Sequence, residues 1–127
     1  IKPSMDMSYF LIKEKWFSKL QFKSLKIKDN LFNDYYKDTC AISKENYISF
    51  LKANSSYTMK EELKNTKSKV YIFVGQKELS NIIESGKMLN SMSPDSILKI
   101  NKEMYHGEFS INYTDKYVDA LLKVLSG

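Results

Sequence analysis

The segment that most constrains this chain is Val70-Tyr71-Ile72-Phe73-Val74. Its apolar residues are all β-branched or aromatic, run without a polar break, and stop at Gly75. A strand that is apolar on both faces belongs inside a parallel sheet covered by helices. Parallel pairing needs a crossover, and the next residues supply one. Residues 79–92 read as a helix with Leu79, Ile82, Ile83, Met88, Leu89 and Met92 on its buried side, and Pro94 ends that register. Ser96–Asn101 reads as a second strand, more alternating and so more like an edge. After a loop at 102–113, Thr114 caps a final helix with Tyr117, Val118, Leu121, Leu122 and Leu125 inward. The spacing predicts an α/β chain built on a right-handed strand–helix–strand unit.

The first half reads differently. Met5, Tyr9, Ile12, Trp16 and Leu20 recur every three to four residues, widened by Phe10 and Phe17, as on one face of a helix capped by Ser4 or Asp6. Shorter helices follow around Leu31, Tyr35 and Tyr36, and after Ser43 around Tyr47, Phe50 and Leu51. Thr58-Met59-Lys60-Glu61 has the spacing of a capping box. The expected division is a helical segment, 1–66, followed by a βαβα segment, 67–127. The aromatic faces of the first segment serve either as core or as the lining of an apolar pocket, to which Trp16 and Phe50 are the candidates.

Composition narrows the class. At 43% apolar and 28% charged, the chain is neither a disordered tail nor a collagen-like repeat. No apolar run approaches the ~20 residues that span a bilayer, and the first residues do not read as a secretory leader. The chain begins with Ile1, and we read it as a piece of something longer. A lone Cys40 makes no internal disulfide and points to a reduced, cytoplasmic protein, where it reads as a small buried thiol. With one His and one Cys, a zinc site built from those ligands is not expected, and no cofactor is. All 20 basic residues are Lys, and the net +5 divides into +6 over residues 1–69 and −1 over residues 70–127. Nucleic acid is not the expected partner, because specific base contacts lean on the arginine fork. Abundant Ile, Asn, Lys and Tyr beside scarce Ala fits an AT-rich bacterial genome.

Sites in parallel sheets form beyond the carboxyl ends of the strands. Glu78 lies four residues after Val74, and His106 five after Asn101, so both loops leave the sheet at one end. Two readings stand side by side. Either these are a solvated turn carboxylate and a loop histidine, or the carboxylate fixes the imidazole and leaves its other nitrogen as a general base.

Residues 69–125 resemble the C-terminal end of an α/β-hydrolase. In that family the penultimate strand ends in a glycine and an acid follows three residues later, as in Lys69-Val70-Tyr71-Ile72-Phe73-Val74-Gly75-Gln76-Lys77-Glu78. A helix leads to the last strand, and the catalytic His sits in the loop beyond it. Ser96–Asn101 and Tyr105-His106-Gly107-Glu108-Phe109 are similar to that pair of elements, and 114–125 to the closing helix. The resemblance implies that Glu78 is the triad acid and His106 the general base and acid. It also implies that 1–66 is a helical lid, Tyr105 a pocket residue, and the substrate an ester or thioester. Three departures stand out. Glu78 replaces the commoner Asp, Tyr105 replaces the glycine that often precedes the His, and no G-x-S-x-G nucleophile turn exists, since Gly occurs only at 75, 86, 107 and 127. A Cys40–His106 pair is the one nucleophile arrangement inside the chain, and no motif surrounds Cys40. The chain alone is expected to be inactive. A non-catalytic binding or interaction module with hydrolase-like architecture is the alternative. The interior character of strand 70–74 implies either a second copy or a missing N-terminal half along its other edge.

Overall fold

The computed structural model describes residues 2–127. It divides into two compact units, meeting between Thr58 and Met59. The segment 59–66 thus goes with the second unit, because a 3-10 turn at Glu61–Asn65 packs on the first helix of that unit. Thr58 caps no helix there; the turn begins after Lys60 without a side-chain cap.

The first unit is helical: α1 (Lys2–Lys13), α2 (Lys15–Ser24), α3 (Phe32–Ala41) and α4 (Lys44–Ser56). Helix α1 touches the other three. It already runs from Lys2, so Ser4 and Asp6 lie within it rather than at its cap. The expected stripe from Met5 to Leu20 does not persist as one helix. Glu14 adopts an extended backbone, with ψ 120°, and α2 starts on a new phase. Ser18 and Phe22 turn inward, while Trp16 and Leu20 are 60% exposed. The Ser18 hydroxyl donates to the Ile12 carbonyl near the end of α1, satisfying an acceptor that the break would otherwise orphan. Phe22 packs against Phe32 and Tyr35 at centroid distances of 5.4 and 5.2 Å. The Lys13 ammonium donates to the Thr39, Cys40 and Ile42 carbonyls at 2.7–2.9 Å, closing the C-terminus of α3. Cys40 is exposed, not a buried thiol, because only Thr39 faces inward at the end of α3.

The second unit is α/β. Strands β1 (Val70–Gly75) and β2 (Ser96–Asn101) pair in parallel from Val70 opposite Ser96 to Gly75 opposite Asn101. Between them runs α5 (Ser80–Met92), and after them α6 (Glu108–Asn112) and α7 (Thr114–Ser126). Strand alternation puts Ile72, Val74 and Leu98 on the face that meets α5 at Gly86. Tyr71, Phe73 and Ile97 lie on the other face with Ala120 and Val124 of α7. The sheet is therefore covered on both sides, as the continuous apolar run requires. Three details differ from expectation, the first being that Leu79, Ile82 and Met88, expected on the buried side of the helix at 79–92, are exposed. The 102–113 loop contains the short α6, and α7 packs through Tyr117, Ala120 and Val124, leaving Val118, Leu121, Leu122 and Leu125 exposed.

Candidate functional site

The two loops expected to meet do meet. Nδ1 of His106 lies 2.8 Å from Oε2 of Glu78. The Glu78 side chain is 7% exposed and that of His106 75%, so a held carboxylate faces an imidazole open to solvent. A carboxylate can only accept in this contact, so the geometry suits the tautomer that carries its proton on Nδ1 and leaves Nε2 as the basic nitrogen.

Local sequence places both residues. The other oxygen of Glu78, Oε1, accepts from the Gly75 backbone N–H at 3.2 Å. Val70 N–H and Gln76 N–H point toward the β2 side, to Asp95 and Asn101 carbonyls. By alternation the Gly75 N–H points to the opposite, open edge of β1. Glu78 thus closes the last donor of that edge while presenting its second oxygen to His106. Gly75 also permits the approach of the histidine loop: a Cβ there would lie 2.3 Å from the Met104 carbonyl oxygen.

The loops are stitched together by groups that sequence reasoning passed over. Lys77 N–H donates to the Met104 carbonyl at 2.9 Å, and the Gln76 side chain accepts from Glu103 N–H at 3.1 Å. The Lys77 ammonium pairs with the Glu103 carboxylate at 2.6 Å. That hydrogen bond holds the Lys77 ammonium above its ordinary value, against a smaller opposing effect of burial. Glu103 has φ 59°, a left-handed backbone that costs a non-glycine residue about 1 kcal/mol and persists only where neighbours enforce it. Beyond it, Glu108 accepts from Tyr105 N–H at 2.8 Å, and Gly107 takes φ 70° at the start of α6. Gly107-Glu108, a glycine N-cap followed at once by an acid in the first turn, was the available signal for this end of the loop. No comparable signal marks Gln76, Lys77 or Glu103.

Tyr105 lines a cleft of about 260 Å³ together with Glu78 and Gly107, while His106 stands outside that lining. Phe50 lines a separate groove of the first unit with Ile12, Tyr35 and Tyr47. Trp16 lies outside that groove, its ring edge-on to Phe17, because the break at Glu14 turns it outward. Among the described residues, no group of three His, Cys, Asp or Glu side chains could hold a metal ion. Nor, among them, is any helix long and apolar enough to cross a membrane.

No protein-family model matches the chain, and no match is found among curated proteins or solved structures. A functional reading rests on the residues themselves.

Proposed function

We propose that residues 69–125 are the C-terminal part of an α/β-hydrolase-type core, serving hydrolysis of an ester, thioester or similar acyl bond. The supporting observation is the 2.8 Å contact between His106 Nδ1 and Glu78 Oε2 beyond the carboxyl ends of two parallel strands. In this reading a serine outside these residues attacks the acyl carbon. Nε2 of His106 takes the hydroxyl proton, and Glu78 stabilises the imidazolium and holds the ring in orientation. His106 then gives that proton to the leaving group, and the acyl-enzyme is released when water attacks with His106 again as base. By the same resemblance, segment 1–66 is the counterpart of the helical lid. A second reading, a non-catalytic interaction module, is favoured by the absence of any G-x-S-x-G turn within the chain.

Activity-based labelling with a fluorophosphonate, on the protein from the whole reading frame, separates the two. The hydrolytic reading expects a labelled serine outside residues 1–127. It expects His106→Ala to lower kcat/KM by about three orders of magnitude or more, and Glu78→Gln to cost less. A reading frame with no labelled serine and no His106-dependent hydrolysis of short acyl esters leaves the interaction module.

A further inference from the structure

The cleft beside the pair has a wall of rings in series. Phe73 meets Phe109 at 5.7 Å between centroids, and Phe109 meets Tyr117 edge-on at 5.5 Å. A cavity of ~150 Å³ already holds benzene. The 260 Å³ here takes one ring and a small substituent besides.

Asn101, the last residue of β2, lines the same cleft and is only 8% exposed. Its backbone carbonyl is taken by Gln76 N–H. Its carboxamide makes no hydrogen bond among the described residues, and neither of its polar atoms is sealed from solvent. The carboxamide thus keeps its hydrogen-bonding capacity free toward solvent in the cleft, and the strand pairing does not need it. Carboxamides offer two donors and one acceptor.

Two other polar side chains of the cleft are already engaged. Glu78 spends one oxygen on Gly75 N–H and the other on His106. The Ser110 hydroxyl donates to the Gly107 carbonyl at 3.1 Å. A negative ligand would meet the Glu78 carboxylate in the same wall, so charge disfavours an anion there.

We propose that Asn101 is the polar anchor of a ligand subsite that takes a single flat ring bearing a neutral amide. The amide pairs reciprocally with Asn101: Nδ2 donates to the ligand carbonyl and Oδ1 accepts the ligand N–H. The ring lies against Phe73, Phe109 and Tyr117. Placing this subsite within an acyl-transfer centre rests on the hydrolytic reading; the binding itself does not.

The test is a titration of the ¹⁵N-labelled chain with benzamide, followed by NMR at the Asn101 side-chain NH₂, with benzoate in parallel. Benzamide should shift that resonance saturably, and benzoate should bind at least about fivefold more weakly. Asn101→Asp keeps the shape but loses the donor, and should weaken benzamide by about fivefold, the worth of one hydrogen bond. The comparison of benzamide with benzoate on the unaltered chain needs no variant, so a misfolded Asn101→Asp leaves the proposal testable. An unmoved Asn101 NH₂, equal binding of benzoate, or unchanged binding by a folded Asn101→Asp would each overturn it. The readout is equilibrium binding, so a protein that binds benzamide but hydrolyses no ester overturns the hydrolytic reading alone.

Discussion

At Gly75 one missing side chain decides whether the acid and the imidazole can meet. A Cβ would lie 2.3 Å from the Met104 oxygen and 3.0 Å from the Tyr105 oxygen, both backbone atoms of the histidine loop. Backbone cannot yield as a flexible side-chain tip can, so the loop must retreat. We predict that Gly75→Ala destabilises the second unit by about 2–3 kcal/mol in urea unfolding. It should also abolish the Nδ1-protonated signature of the single histidine in ¹⁵N NMR. A variant with unchanged stability and an unchanged imidazole spectrum would refute this. The pair itself was legible in sequence for a simple reason. Parallel strands leave their following loops at one end, so Glu78 and His106 share a neighbourhood whatever the details. Their support was not legible. Lys77, Glu103 and Gln76 are ordinary surface residues in a list, and only the left-handed backbone at Glu103 brings their groups together. The exposed Lys77–Glu103 pair adds little energy by itself; its effect is to restrict where the loop can go.

Among the elements, α5 makes its closest approach to the sheet at Gly86. A Cβ there would lie 2.8 Å from a Val74 methyl and 3.6 Å from a Leu98 methyl. Two effects oppose each other in Gly86→Ala. Helix propensity favours alanine by about 1 kcal/mol, whereas overpacking a filled contact costs about 1–3 kcal/mol. Val74 is buried and its strand is pinned by β2, so the overpacking dominates. We predict a net loss of about 1 kcal/mol, read as a lower urea midpoint; a higher midpoint would show that the helix moves off the sheet freely. The same contrast explains which elements the sequence disclosed. The strands and α5 carry patterns with a fixed phase, bounded by Gly75 and Pro94, and they form where expected. The long helical stripe before residue 24 failed because its phase resets at Glu14, where neither glycine nor proline marks a break. In α7 the pattern overstated the buried face. Apolar residues surround much of that helix, and the sheet takes only the Tyr117, Ala120 and Val124 side. Periodicity alone cannot choose between two apolar faces when there is one surface to cover.

For the molecule as a whole, the sheet leaves a question of partnership. β1 has the composition of an interior strand, yet β2 is its one strand neighbour among the described residues. Since Val70 and Gln76 direct their N–H groups toward the β2 side, the alternate residues Tyr71 and Phe73 direct theirs to the other edge. Glu78 closes only the final donor there, at Gly75. Val118, Leu121, Leu122 and Leu125 of α7 add an exposed apolar face to the same unit. An open edge on an apolar strand recruits another strand, and a two-stranded sheet gains most from doing so. We predict that the chain dimerises by antiparallel pairing of β1 with β1 of a second copy, the arrangement a two-fold axis gives most economically. Light scattering at micromolar concentration should then report twice the 14.8 kDa chain mass. Tyr71→Pro supplies the control. It removes an N–H that points away from β2, so pairing within the unit survives while the outer edge loses a donor. A folded Tyr71→Pro chain should run as a monomer with the circular dichroism of the parent. Should the parent itself scatter as a 14.8 kDa monomer, edge pairing between copies is wrong. A Tyr71→Pro variant that is folded and still dimeric would instead move the interface to the exposed face of α7.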